Sequence, residues 1–167
     1  AKGLNVTLTL IGGGTGRAQE LLERQMAESD PKGEFVTQLE FVPHGRLPGL
    51  IAEFDLFVFA SSCEAFGITL LEGMASGLPI ACSDRSSLPE ILQDGGTYFD
   101  PEDDASIAAA VERLIVDDAL REFSARRAHT LAEAYSWRRC SGETFSFITQ
   151  TSRAGRSARA LDGKPSR

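Results

Sequence analysis

One stretch of the chain, residues 61–84 (SSCEAFGITLLEGMASGLPIACSD), decides how the sequence is interpreted. Leu56–Ala60 precedes it with the length and β-rich composition of a buried strand, and Pro79–Cys82 is a second apolar run of this kind. The residues between them predict a helix over Gly67–Ser76, which Gly77 ends as a left-handed cap. Strand, loop, helix, turn and strand together predict a right-handed βαβ unit.

The predicted helix is apolar around most of its circumference but carries one narrow polar stripe, formed by Thr69, Glu72 and Ser76. Glu64 lies just before the helix, where the free N–H groups of the first turn favour the negative charge of a ligand. Gly67 allows close backbone approach, and the rise from Gly67 to Glu72 is roughly 7–8 Å. This spacing suits a phosphate at the helix tip beside a sugar ring. Alternatively, the stripe faces solvent or Glu72 pairs with a Lys or Arg.

The pattern SSxExFGxxxLExMAxGxP over residues 61–79 resembles the donor-site motif of the retaining GT-B glycosyltransferases of family 4. The resemblance implies that Glu64 is the catalytic residue that contacts the transferred sugar, and that Glu72 holds the nucleotide ribose. It also implies that the donor is bound at Phe66, Gly67, Ile68 and Thr69. Ala65 and Gly73 depart from the family, which usually has Gly and Ala there, but neither change alters the two carboxylates.

The N-terminal part of the chain contains a second candidate turn. Asn5–Ile11 predicts a strand, residues 12–16 (GGGTG) a glycine-rich turn, and residues 17–28 a helix. The turn does not match a dinucleotide fingerprint, because Arg17 stands where the third glycine is needed, and no Lys-Ser/Thr pair follows as in a P-loop. The resemblance implies instead that Gly13 and Gly14 line the donor site.

A further strand is predicted over Phe35–Val42, with an exit turn at residues 43–46 (PHGR). The resemblance places backbone that contacts the nucleobase at this exit, so His44 is a candidate neighbour of the base. The turn is shorter than usual in the family and carries Pro43 where the family tends to have Gly. The alternative is a histidine in an ordinary surface turn.

The remaining pattern predicts a short helix over Leu47–Phe54 and a strand over Thr97–Phe99. Further helices are predicted at Leu88–Leu92 (N-capped by Ser87), Asp104–Val116, Asp118–Tyr135 and residues 136–150. Five strands that alternate with helices predict an α/β fold, a doubly wound, Rossmann-like and mostly parallel sheet. Ligands of such sheets bind at the carboxyl ends of the strands. The candidates that directly follow a strand are Gly13, Gly14, His44, Glu64, Gly67 and Ser83.

Composition limits the classes of function. The chain has 167 residues, 42% hydrophobic and 25% charged, which favours one soluble globular domain over residues 1–150. The formal net charge of -7 disfavours general binding to nucleic acid, although residues 151–167 carry a net +4 and predict a basic, disordered tail. The three cysteines, Cys63, Cys82 and Cys140, show no paired spacing, so a reducing compartment is expected, with Cys63 a small core residue rather than a nucleophile.

The sequence therefore predicts the donor-binding portion of a retaining glycosyltransferase that uses a nucleotide-diphospho-sugar. The resemblance implies the C-terminal half of a GT-B fold, without its first strand and helix, whose partner is an N-terminal acceptor-binding domain of the same enzyme. It implies no cofactor and no metal. We expect a cytoplasmic protein, with peripheral membrane contact through the other domain. The alternatives are a non-catalytic nucleotide-sugar-binding or interaction domain and a GT-B type sugar epimerase.

Overall fold

A computed structural model describes the backbone of residues 4–161 and the side chains of residues 4–154. The chain forms two compact units, Ala1–Glu53 and Phe54–Arg167. This division differs from the single domain that we expected over residues 1–150. Each unit has its own parallel sheet, of two strands in the first unit and three in the second.

The first unit is a strand–helix–strand unit followed by a short helical segment. Its elements are β1 (Leu8–Ile11), α1 (Arg17–Ser29), β2 (Val36–Leu39), a 3-10 turn (His44–Arg46) and α2 (Leu47–Ile51). The two strands pair in parallel, with Leu8 opposite Val36 and Ile11 opposite Leu39. Both strands are shorter than the sequence predicted, because each extends only as far as its partner supplies hydrogen bonds.

Asp30 fixes the connection from α1 to β2. Its carboxylate accepts hydrogen bonds from the backbone N–H groups of Glu34, Phe35 and Val36, at 2.9, 2.8 and 2.8 Å. Desolvation acts to raise the pKa of this carboxyl, but the hydrogen bonds, led by those from Phe35 and Val36, lower it below its ordinary value. A single side chain thus satisfies three amides in a loop that the sequence indicated only as polar.

The second unit contains the predicted βαβ unit and the remaining helices. Its elements in chain order are β3 (Phe57–Phe59), α3 (Ile68–Ala75), β4 (Ile80–Ser83), α4 (Leu88–Leu92), β5 (Gly96–Phe99), α5 (Asp104–Val116), α6 (Asp118–Ala132) and α7 (Trp137–Leu161). The strand order is β3-β4-β5, and both pairs are parallel. The predicted α/β class with parallel strands is confirmed. Gly77 ends α3 with φ +74°, as its position in the sequence predicted.

The core of the second unit lies around β4, whose four residues are all buried. Phe99 of β5 and Leu114 of α5 pack beside it, with Leu70 and Met74 of α3 also fully enclosed. The buried Ser124 of α6 ties the sheet to this helix, because its hydroxyl donates to the Gly95 carbonyl at 2.8 Å and accepts from the Ile80 N–H at 3.4 Å. The sheet that carries the candidate site therefore rests on a packed and hydrogen-bonded base.

Packing explains why residue 73 is a glycine, where the family usually has an alanine. A Cβ at this position would lie 2.7 to 2.9 Å from ring atoms of Phe57, so the aromatic ring of β3 occupies the space of a methyl group. Contacts this short force neighbouring atoms to move. The glycine thus follows from the phenylalanine on the adjacent strand, and it leaves the two carboxylates of the motif in place.

The C-terminal helix differs from the prediction. We expected it to end near residue 150 and to be followed by a disordered tail over residues 151–167, but α7 continues to Leu161. Arginine and alanine, which are frequent in this segment, are good helix formers, and the segment has no proline before Pro165. Residues 162–167 of the predicted tail lie outside the described residues.

Candidate functional site

The N-terminal end of α3 forms the centre of the candidate site. The helix starts after Gly67, which is buried and adopts a left-handed conformation with φ 91° and ψ 52°. The first intrahelical hydrogen bond runs from the Leu71 N–H to the Gly67 carbonyl at 3.2 Å, so the amides of residues 68–70 precede it. Among the described side chains, none caps this end by a hydrogen bond.

Two other helices of the same unit, α5 and α6, begin with a side chain that caps the helix. Asp103 accepts a hydrogen bond from the Ala105 N–H at 2.9 Å at the start of α5, and Asp117 accepts one from the Leu120 N–H at 2.9 Å at the start of α6. Each carboxylate satisfies an amide and complements the helix dipole. Since α3 has a glycine at this position, its first amides and its partial positive charge stay available to an anionic ligand.

The two carboxylates of the motif flank this helix end. Glu64 is half-buried in the loop three residues before Gly67, and Glu72 is half-buried on α3, at its fifth residue. Thr69 on the predicted polar stripe is exposed, whereas Ser76 is half-buried and donates from its hydroxyl to the Glu72 carbonyl at 2.8 Å. The polar stripe is therefore exposed at Thr69, near the start of the helix, and half-buried at Glu72 and Ser76, further along it.

The loop that carries Glu64 is held by residues that follow β4. The Glu64 N–H donates to the Ser86 hydroxyl at 3.2 Å, and the Ser87 hydroxyl donates to the Phe66 carbonyl at 3.2 Å. Ser87 precedes α4 as predicted, but in the described part of the chain its side chain makes no capping hydrogen bond. No sequence signal pointed to these contacts, because a serine pair before a helix has the pattern of an N-cap.

The aromatic and aliphatic members of the motif lie at the surface. Phe66 is 45% exposed and its ring packs edge-to-face against that of Tyr135, with centroids 5.9 Å apart and an interplanar angle of 67°. Ile68 is 51% exposed. Tyr135 lies just after α6, and no sequence pattern connects it with the loop. Exposed apolar side chains beside uncapped amides suit a ligand that has both charged and apolar parts.

One hydrogen bond and two ion pairs support the turn after β4. Ser83, the last residue of this strand, is buried and its hydroxyl accepts from the Arg85 N–H at 3.2 Å. The Arg85 guanidinium contacts Asp100 at 2.8 Å and Asp84 at 3.2 Å. The hydrogen bond with Asp100 raises the pKa of Arg85 and lowers that of Asp100. Ser83, which we considered because it follows a strand, therefore supports the turn.

Three further candidates belong to the first unit. Gly13 follows β1, and a Cβ there would lie 3.2 Å from the Glu40 carbonyl oxygen, so a side chain at this position would be crowded. The Gly14 N–H donates to the side-chain oxygen of Gln19 at 3.1 Å. His44 is exposed at the start of the 3-10 turn that follows β2. Their predicted contacts with a donor stay predictions.

The three cysteines differ in burial. Cys82 is buried in β4, where desolvation raises its thiol pKa to about 12, whereas Cys63 and Cys140 are exposed. Cys63 is therefore not the core residue we expected.

Among the residues that the structure describes, no group of three metal-ligating side chains comes together, and no helix combines the length and apolar character that crossing a membrane requires.

Comparison with known proteins identifies relatives along most of the chain. Residues 1–130 match the family model described as glycosyl transferases group 1. The O-antigen chain mannosyltransferase B of Escherichia coli is 36% identical over 120 residues, which are 72% of this chain and 32% of that protein. The chain spans about a third of the length of such curated relatives.

Two solved structures share the fold. Sucrose-phosphate synthase from Thermosynechococcus elongatus gives a TM-score of 0.79 at 23% identity, over 89% of this chain and 39% of that chain. HepE of Anabaena, solved in complex with UDP and glucose, gives 0.68 at 24% identity, over 77% and 36%. These matches confirm the predicted fold class, the α/β fold of the C-terminal domain of GT-B glycosyltransferases. The chain belongs to the glycosyl transferases group 1 family.

Proposed function

We propose that this chain is the donor-binding portion of a retaining glycosyltransferase that uses a nucleotide-diphospho-sugar. One observation carries the proposal: the uncapped start of α3, with Gly67 in a left-handed conformation, has a carboxylate on either side along the chain, Glu64 and Glu72. Amides and a helix dipole suit a diphosphate, and carboxylates suit sugar hydroxyls. The UDP and glucose bound by the relative HepE have these chemical parts.

Each part of the site has a defined role in this proposal. The backbone amides of Ile68 and Thr69 donate hydrogen bonds to the diphosphate, beside the exposed ring of Phe66. The half-buried Glu72 accepts hydrogen bonds from the ribose hydroxyls. Glu64, in the preceding loop, orients the transferred sugar. Gly13, Gly14 and His44 are proposed to line the site near the nucleotide.

The proposed catalysis is electrostatic. When the bond between the sugar and the diphosphate breaks, negative charge grows on the departing diphosphate. Amides at the start of α3 are fixed in advance, so they stabilise this charge without a cost of reorganisation. Glu64 contributes by holding the sugar ring in the orientation from which transfer occurs.

Glu72→Gln tests the assignment of the ribose. We expect nucleotide binding to weaken by about 1.5–3 kcal/mol, the range for a hydrogen bond to a charged group. Isothermal titration calorimetry with UDP and with GDP, on the complete polypeptide that carries this chain, measures the affinity. Glu133→Gln is a matched control, since Glu133 is exposed at the end of α6 and the same charge is removed. Unchanged affinity together with a lower melting temperature would give Glu72 a structural role.

The C-terminal helix supports an acceptor-binding domain as the partner. At helical spacing, α7 presents an exposed apolar face on which Trp137 is 78% and Phe145 70% exposed, with Ile148 further along. Exposed apolar surface of this kind marks an interaction site. Because the matched residues cover only 32% and 35% of two curated relatives, the proposed partner is the N-terminal domain of the same polypeptide.

Trp137→Ala tests this partner. In the complete polypeptide we expect the free energy of unfolding to fall by roughly 3 kcal/mol, as when a large buried aromatic side chain is truncated. In the 167-residue chain alone the change should stay within about 0.5 kcal/mol, because the side chain is exposed. Thermal and urea unfolding measure both, and Arg138→Ala on the same helix turn is the control. Equal small effects in the two settings would exclude α7 as the contact surface.

A further inference from the structure

We infer that Ser86 is a positioning residue for Glu64, and that the segment Ser86–Leu88 clamps the loop in front of α3. The inference rests on the proposed function and adds to it a residue outside the donor motif. Ser86 lies 22 residues further along the chain than Glu64. Its role follows from its hydrogen bond to the loop, from its positive φ and from the contacts of the residue before it.

The clamp holds the loop at three successive points. The Ser86 hydroxyl accepts a hydrogen bond from the Glu64 N–H, and the Ser87 hydroxyl donates one to the Phe66 carbonyl, both at 3.2 Å. At the third point the fully buried Leu88 side chain lies 2.8 Å from where a Cβ of Gly67 would stand. The clamp therefore contacts the backbone of the loop from Glu64 to the helix start.

The backbone conformation of Ser86 sets it apart. Its φ is +56°, and in the described part of the chain only Gln93, with φ +50°, is another residue besides glycine with a positive φ. A serine in this conformation is strained relative to a glycine. The hydroxyl that contacts Glu64 gives a physical reason for a side chain at a position where glycine fits the backbone better.

Contacts of Arg85, the residue before the clamp, support it. The Ser83 hydroxyl accepts from the Arg85 N–H, and Arg85 is fixed between Asp84 and Asp100. These contacts restrain the residue directly before Ser86 and so help to keep the Ser86 hydroxyl at the Glu64 N–H. Support of this kind helps to keep a functional side chain within the narrow range of positions that transfer requires.

Ser86→Gly removes the hydroxyl and relieves the backbone strain at the same time. In the complete polypeptide we expect kcat for sugar transfer to fall about tenfold, the effect of one net hydrogen bond, with little change in the donor KM. The melting temperature should stay equal or rise, since glycine accepts a positive φ. The amide of Glu64 should exchange its hydrogen faster. Gln93→Gly is the matched control, because it also replaces a residue that has a positive φ and lies away from the loop.

Two further variants separate this inference from the proposed function. In a Glu64→Gln background, Ser86→Gly should cause no additional loss of kcat, because both changes remove the same contribution. Ser86→Asn should restore part of the activity, since asparagine tolerates a positive φ and its side-chain oxygen accepts a hydrogen bond. If Glu64→Gln lowers kcat while Ser86→Gly leaves kcat and amide exchange unchanged, the positioning role is wrong and the proposed function stands. If Glu64→Gln itself is fully active, the proposed function fails.

Discussion

Replacing Glu64 with glutamine is expected to lower kcat by about a hundredfold, a loss typical of a misoriented substrate, while donor affinity changes much less. The reason is that a group which acts mainly in the transition state affects kcat rather than ground-state binding. Glutamine keeps the size of the side chain and the backbone N–H that donates to Ser86. The loop should therefore keep its structure, so that the variant isolates the carboxylate.

The measurement is sugar transfer from a panel of nucleotide sugars by the complete polypeptide, with donor affinity determined by calorimetry on the same samples. Glu133→Gln again controls for the removal of one negative charge from the surface. An equal loss in kcat and in affinity would make Glu64 a plain binding residue. Full activity would remove it from the site, and the assignment of residues 61–79 as a donor motif would lose its main support.

Local patterns predicted several helices of the second unit well, although not the end of α7. The bounds of α4 (Leu88–Leu92) and α5 (Asp104–Val116) match the prediction, and Gly77 ends α3 in a left-handed conformation. Such features depend on residues within a turn or two of each other, namely on capping residues and helical periodicity. The ends of the strands were predicted less accurately, because they depend on the partner strand. β1, for example, begins at Leu8, the residue that lies opposite Val36 of β2.

Contacts that support the site were beyond the reach of sequence patterns. Glu64 and Ser86 are 22 residues apart along the chain, and Phe66 meets Tyr135 only because α6 returns past the loop. The motif predicts which residues face a ligand, and those contacts stay predictions. The residues that hold the motif loop follow from the packing of β4 and α4. For the same reason the sequence explained Gly67 only in part. Its place in the motif suggested close approach of a ligand, but the sequence did not reveal that Leu88 occupies the space beside it.

Gly67→Ala should both destabilise the protein and weaken nucleotide binding. A left-handed conformation costs an alanine roughly 1–2 kcal/mol. Crowding against the buried Leu88, 2.8 Å from the new Cβ, adds about 1–3 kcal/mol. Because Leu88 is fully enclosed, the strain is relieved mainly by movement of the loop, which displaces the first amides of α3. We expect a roughly tenfold or greater loss of affinity for UDP or GDP, as one charge-assisted hydrogen bond is worth about 1.5–3 kcal/mol.

Gly77→Ala at the other end of the same helix is the matched control. Gly77 has φ +74°, close to the +91° of Gly67, but among the described residues no atom lies within 4 Å of the position that the new Cβ would take. Urea unfolding should therefore show the cost of the left-handed conformation in both variants and the cost of crowding in Gly67→Ala alone. Calorimetry should show normal nucleotide affinity for Gly77→Ala. Equal affinities in the two variants would mean that the start of α3 does not bind the diphosphate, since the two substitutions differ chiefly in whether they move its first amides.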